Sequence, residues 1–487
     1  MSGSSCLLAI VCVAVLFALL AGCSEGRDWP PKFIRSRIAT TDSGWHSTTR
    51  GTVRLVWPHR GRWLVFRGDP DTYHFSTDGR TWTATEAVQA GRSHLIQGDT
   101  IYTRYSVLVE GAPKWVFDHF VAKGTVRGNT IAWGPPVKLD TRVGYYPDLQ
   151  QDQAGYFTMT GRAANFTEVD GERKVTSTEV LWKRSRRPND ITEWCPDVRC
   201  IRHVGDSHVG KKWTQVGSTV HENVTLADGK SYVFGMMTVG GAGRLYGNLF
   251  DGTAWGAADA ELAGGMSTWP GTDRRMCAVF DRPARILHLG YVDGEGGLWY
   301  RRATPPYGPK DWSPPLRLQP VRCFCVVLAL DTSKTPADVY VLFGRTRYRG
   351  RDRRNTYGEI HLQRFDGQSW SEPVLVSEPE TKDNWYPNMN ADVRHGIGVL
   401  YLRGSEQTRG KNPPLDIRFA TPGPVEAHRR ASVYDTMPTG KPTRGIGLPF
   451  GVVAFRSHKP PVTPGRTDVA IAPRSAPTPA PRGSGRR

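Results

Sequence analysis

No stretch of this 487-residue chain carries a long helical pattern of apolar residues. That absence excludes helical bundles and alternating strand–helix folds, which need amphipathic stripes several turns long. One long apolar run exists, residues 7–20 (LLAIVCVAVLFALL), and it is too short to span a bilayer comfortably as a mature helix. Cysteine is sparse, at 8 residues, and no histidine stands beside Cys277, Cys323 or Cys325 at ligand spacing, which argues against a metal site there. Acid is short as well: 46 Asp plus Glu face 64 Lys plus Arg, for a net charge of +18. No nucleic-acid-binding motif accompanies that excess, so nucleic acid is not the expected partner.

What is there is a repeat. Trp82, Trp133, Trp194, Trp255, Trp312 and Trp370 close turn-like clusters at intervals of 51, 61, 61, 57 and 58 residues. The wording recurs in STDGRTW (76–82), FDGTAW (250–255) and FDGQSW (365–370), each after short alternating apolar runs. About four short strands per unit of 50 to 60 residues predict an all-β fold, a β-propeller. Seven units fit, at about 52–86, 91–138, 144–200, 213–260, 268–318, 321–377 and 384–421. The last has three convincing runs, and the strand-like FIRSRIATT (33–41) has no unit of its own. It is expected to complete the seventh blade and close the ring, which removes exposed sheet edges. Six blades is the alternative if the short first unit is not independent.

The ends lie outside this body. Leu20-Ala21-Gly22-Cys23 resembles the lipobox of bacterial lipoproteins, which implies removal of residues 1–22 and lipidation of Cys23. A linker (23–32) then leads to the propeller domain (33–421), expected to be lipid-anchored to a bacterial membrane; an ordinary secretory signal and an uncleaved anchor are the alternatives, and all three place the body outside the cytoplasm. Residues 422–487 form a Pro- and Arg-rich tail expected to stay extended; from 424 onward it holds 11 Lys plus Arg against 3 Asp plus Glu, or +8 of the total. The rest of the excess belongs to the body and points to an anionic partner. In an oxidising compartment Cys195 and Cys200, which flank a hairpin-sized PDVR, are expected to form a disulfide. Cys277 and Cys323 or Cys325 are candidates for a bridge between blades.

STDGRTW resembles the Asp-box of sialidases and other bacterial-neuraminidase-repeat proteins, one residue shorter than the usual form. The box is a turn between the third and fourth strands of a blade, so the resemblance speaks for fold and not for activity. SRIAT (36–40) stands nearest the family's Arg-Ile-Pro motif and lacks its proline. Gly-His and Trp-Asp signatures are absent, which disfavours a WD-repeat scaffold.

In a four-stranded blade, the residues before the first strand and after the second open on one face, opposite the turns between third and fourth strands. Position-matching puts Arg67, Arg162, Arg345 and Arg403 after second strands, where a guanidinium fork suits carboxylate, sulfate or phosphate. Before first strands stand His94, Tyr145, Tyr146, Asp148, His221, Glu222, Asn223, Trp269, Asp273, Asp383, Trp385, Tyr386 and Asn388. YYPD and WYPN repeat one another. Aromatic rings beside acids and histidines suit sugar recognition.

A glycoside hydrolase would use Glu222, Asp148 or Asp273 as its carboxyls, and the sialidase resemblance implies a Tyr–Glu nucleophile that Tyr146 and Glu222 could form. A polysaccharide lyase would use His221 or His94 as base and Tyr145 or Tyr146 as acid, while arginines neutralise a uronate. A non-catalytic glycan- or protein-binding surface propeller is the competing expectation. No cofactor is called for, with a structural Ca2+ left open, and the expected state is a monomer bound to an acidic glycan.

Overall fold

A computed structural model describes residues 29–41, 54–68, 71–85, 91–110, 117–143, 145–169, 172–205, 220–266, 275–348, 356–378, 383–404 and 415–423. Their strands form seven consecutive antiparallel sheets, each with a four-strand path, and the described residues contain no helix. The first and second strands of the blades are, in ring order, Val56–His59 and Arg62–Gly68; Gly91–Gln97 and Thr100–Leu108; Tyr145–Gln151 and Phe157–Val169; Val220–Thr225 and Ser231–Val239; Met276–Asp281 and Ile286–Val292; Cys323–Asp331 and Asp338–Tyr348; Asp383–Met389 and Val399–Gly404. The chain is a seven-bladed β-propeller. The short first unit has its own sheet, which removes the six-blade alternative.

Ring closure follows the expected route. Ile34–Thr41 runs antiparallel to Leu415–Thr421, with Ile34 opposite Thr421 and Thr41 opposite Leu415. Ser36 ties this closing strand to blade one, since its Oγ donates to Gly79 O (2.7 Å) and accepts from Trp82 Nε1 (3.1 Å). Pairing the two ends of the chain leaves no blade with a missing outer strand.

The core lies in the seams. A blade is covered on both faces, so its strands read as continuous apolar runs instead of alternating ones. MCAVFD is buried throughout, and SYVFGMMTV is buried up to its last residue. One cluster joins blade one to its neighbours on both sides: Trp63, Val65 and Phe75 pack with Ile101 of blade two and with Leu400, Ile417 and Phe419 of blade seven. Others fill the seams between blades two and three, three and four, and four and five, while a single large cluster spans blades five to seven.

The turns between third and fourth strands are built by aspartates. Asp78 Oδ1 accepts from Ser76 Oγ (2.9 Å), Arg80 N (2.7 Å) and Thr81 N (2.8 Å). The N–H groups of Thr81 and then Arg80 hold its carboxyl down to about 2. Asp251 and Asp366 make the same bonds to the backbone two and three residues on, in FDGTAW and FDGQSW. Each of these tryptophans then bridges back to its own third strand, Trp255 to Phe250 and Trp370 to Phe365.

Two expectations fail among the cysteines. Cys195 and Cys200 are both free thiols. Cys195 N bonds Arg184 O and Cys200 N bonds Val180 O, so the segment runs extended along the third strand of blade three, Glu172–Arg184. Four residues of rise separate those anchor points, roughly 13 Å, well beyond the reach of a disulfide. Cys277, Cys323 and Cys325 form no disulfide either among the described residues. The Cys323 thiol turns to Val321 O (3.4 Å), and Cys277 Sγ meets Arg54 Nη2 (3.5 Å).

Candidate functional site

The starts of the first strands and the ends of the second strands gather on one face, the mouth. Four first strands carry a bulge there: between Gly91 and Ser93, Tyr145 and Asp148, Phe324 and Val326, and Trp385 and Asn388. In YYPD and WYPN the cause is in the sequence. Pro147 and Pro387 have no N–H for the ladder, so pairing skips and resumes at Asp148 and Asn388. Tyr386 takes φ +49° in its bulge and packs against the seam cluster of blades seven and one. The side chains of Tyr145, Tyr146, Asp383 and Trp385, and all of Trp269, Asp273 and Cys23, lie outside the described residues.

The residues expected to supply acid and base are buried. Asp148 accepts from the backbone N of Asn223 through Oδ2 (3.1 Å) and from Gln150 Nε2 through Oδ1 (3.0 Å), a tie between blades three and four. Asn223 Nδ2 adds a bond to Thr158 Oγ1 (2.8 Å), so Asn223 faces blade three. His221 shares that face by strand alternation, whereas Glu222 shares the face of Val224, which packs on blade five. His221 and Glu222 are 2% and 4% exposed. Adjacent in sequence, they serve different seams. His94 is likewise a seam residue: its Nδ1 meets Tyr73 Oη (2.8 Å), and Phe66 packs on its ring at 4.0 Å. Asn388 Oδ1 accepts from Leu55 N (3.1 Å), and Asn384 Nδ2 donates to Gly358 O (3.0 Å).

The four arginines divide into one that is buried and three that reach the rim. Arg162, opposite Tyr145 in the ladder, is buried. Arg345, Arg403 and Arg67 are half-buried, on blades six, seven and one, which are consecutive in the closed ring. Arg67 Nη2 donates to Thr40 O (3.0 Å), and Arg403 Nη1 lies 3.7 Å from Glu378 Oε1. Arg345 has no hydrogen bond or ion pair among the described residues.

Three further residues belong to this region. Arg54, just before the first strand of blade one, reaches across to Leu328 O (2.6 Å) and Met389 O (3.1 Å) on blades six and seven, besides Cys277 on blade five. Arg104 lies one residue short of the position the strand-end rule inspects. It is fully buried, donates to Ser106 Oγ (2.9 Å) and meets His119 Nδ1 (2.9 Å) and Val143 O. Glu378 follows the last strand of blade six and accepts from Tyr401 Oη (2.8 Å) and Arg418 Nε (3.0 Å). Burial pushes its carboxyl up, but the hydroxyl and the guanidinium outweigh that and hold it below the usual range. Arg54 could have been suspected as a lone basic residue ahead of a core strand (RLVW). Glu378 carries no local signal.

No family model matches the chain, and no curated protein matches it in sequence. Among solved structures it is similar to the NanB sialidase from Streptococcus pneumoniae, at 10% identity and a TM-score of 0.40 over 80% of this chain and 70% of that one. AofleA from Arthrobotrys oligospora gives 10% and 0.40 over 74% and 93%. The Aleuria aurantia lectin, solved with alpha-methyl-L-fucoside, gives 11% and 0.39 over 68% and 96%. The propeller assignment rests on strand pairing and needs none of these.

Proposed function

We propose that this propeller binds an acidic glycan at its mouth. The observation that carries the proposal is the run of three partly buried arginines on consecutive blades, Arg345, Arg403 and Arg67, the first with no hydrogen bond or ion pair among the described residues. A guanidinium fork donates two parallel hydrogen bonds to a carboxylate or sulfate, and partial burial strengthens both. The positive excess of the body favours the same ligand class through steering. Titration of the purified protein with uronate-, sialate- and arabinose-containing polymers tests it. Saturable binding of the acidic polymers and none of neutral arabinan is expected; equal binding of both would remove the anionic reading.

A hydrolase or lyase is the second reading, favoured by one observation. Asp148, His221 and Glu222 are buried at the starts of neighbouring first strands, a costly placement that strand formation does not require. Glu222→Gln and His221→Ala would then abolish turnover and spare binding. Reducing-end release and unsaturated-uronate absorbance in the same screen separate hydrolysis from elimination. Silence of both substitutions on a measured activity would reject those roles.

For location, we propose export and anchoring through Cys23. Cys23→Ala should release the protein from membranes or block its processing, and unchanged fractionation with normal processing would reject the anchor.

A further inference from the structure

Blade six carries a polar row that the rim arginines alone do not explain. Glu359, His361 and Gln363 alternate along its third strand, Thr356–Phe365, and so share one face of the sheet. That face looks at blade five, because Gln319 of blade five donates to Gln363 Oε1 (3.0 Å). On the second strand, Arg345 stands opposite Glu359 and Phe343 opposite His361, so both lie on the same face. The His361 ring stacks on Phe343 at 5.7 Å and 17°. Cys323 completes the row on the first strand, opposite Arg345.

The row is graded from floor to opening. The Gln319–Gln363 bond closes the bottom, buried His361 sits above it, and Glu359 and Arg345 stand toward the mouth. His361 Nε2 lies 3.0 Å from Glu359 Oε2. A carboxylate only accepts, so the imidazole donates, which fixes its tautomer and the direction of the carboxylate. Burial pushes the Cys323 thiol up to about 12, so it stays neutral beside Arg345. The Arg345 guanidinium therefore has the Glu359 carboxylate opposite it on the third strand and no hydrogen bond to it, so its donor fork stands beside an oriented acceptor.

We infer that the mouth end of this polar row, at the seam of blades five and six, is a subsite for one acidic sugar residue, Arg345 holding its carboxylate or sulfate and Glu359, oriented by His361, accepting from a neighbouring hydroxyl. The inference rests on the acidic-glycan reading and assigns that reading a place. A bare anion and a sugar acid should then respond oppositely to Glu359. For inorganic sulfate the carboxylate is only a like charge nearby, whereas for glucuronate it is a partner.

The test is titration of the full-length protein and its Arg345→Ala, Glu359→Gln and His361→Asn variants with sodium sulfate and with D-glucuronate, each variant checked for an unchanged melting transition. Arg345→Ala should weaken both ligands, by roughly 10-fold or more for a lost charge-assisted fork. Glu359→Gln should weaken glucuronate by about 3- to 10-fold and tighten sulfate by about 2-fold, since a like charge is removed. His361→Asn, which leaves the Glu359 charge in place, should weaken glucuronate less than Glu359→Gln does and leave sulfate unchanged. If Glu359→Gln moves both ligands in one direction, or Arg345→Ala moves neither, the subsite is wrong. Should those variants be silent while Arg67→Ala and Arg403→Ala weaken glucuronate, the subsite fails and the wider glycan reading stands. Absence of any glucuronate binding by the parent protein would overturn both.

Discussion

The Asp-Gly turns and the mouth of the propeller are built by different means. In those turns the aspartates accept from backbone N–H groups two and three residues on, as in Ser76–Trp82. On the mouth face, polar side chains reach other blades: Arg54 to three of them, Asp148 to blade four, and Arg104 to Val143, which leads into blade three. Local bonds make a turn that a short sequence specifies by itself. Long-range bonds make a surface whose shape depends on every blade being in place.

The largest effect should come from breaking closure, on which both faces depend. Deleting residues 23–42 removes the strand Ile34–Thr41 and exposes the edge of Leu415–Thr421. The whole melting transition should shift or vanish cooperatively. An unchanged transition in a calorimeter would mean that the ring does not need this strand.

Next in size is Arg54 on the mouth side. Arg54→Ala leaves the carbonyls of Leu328 and Met389 without that donor, and about 2–3 kcal/mol of stability should go. On the turn side, Gly79→Ala should cost about 1–3 kcal/mol. Gly79 holds φ +69°, and an added Cβ would stand 2.6 Å from Thr421 Cγ2 of the last blade. Urea melts of both variants rank the faces, and equal indifference to the two would dissolve the contrast between them.

A smaller effect is expected from acid, and it comes from the seams between the faces. Burial, with Arg302, holds His288 down to about 3; burial and then Arg104 hold His119 to about 3; burial and then Arg67 hold His74 to about 4. The unfolded chain protonates these near 6.5, while the native state refuses the protons until pH 3 to 4. Stability should therefore fall as pH drops through that window and be unaffected by these groups above it. His288→Asn keeps a partner for Tyr300 Oη and cannot take the proton, so it should flatten the acid limb by about one proton. An unaltered slope would show that His288 titrates normally.

The same division explains what could be read from the sequence. Blade number and ring closure were legible, because Trp spacing and Asp-Gly turns are local signals; the limit of the fourth unit at 260 was not, since that blade's last strand runs Ala260–Met266. The mouth was legible only as a set of positions. Whether an arginine at the end of a strand reaches the rim, as Arg345 does, or is buried, as Arg162 is, depends on how neighbouring strands pair. The seam positions of His94, His221 and Glu222 were not legible for that reason: the rule locates a strand start, but not the seam into which alternation turns each side chain. Cys195 and Cys200 misled in another way, since a loop of hairpin length lies extended along a third strand.

The central claim is that the mouth, and not the turn face, carries the anion site. The most direct measurement is the affinity of a uronate polymer for the parent protein, for Arg67→Ala/Arg345→Ala/Arg403→Ala, and for Arg187→Ala on the turn face, at low and at moderate salt. The triple variant should lose on the order of 100-fold or more and most of its salt dependence, with its melting temperature nearly unchanged. Arg187, exposed in the turn after the third strand of blade three, should be silent. Equal losses from Arg187→Ala, or undiminished binding by the triple variant, would contradict the account.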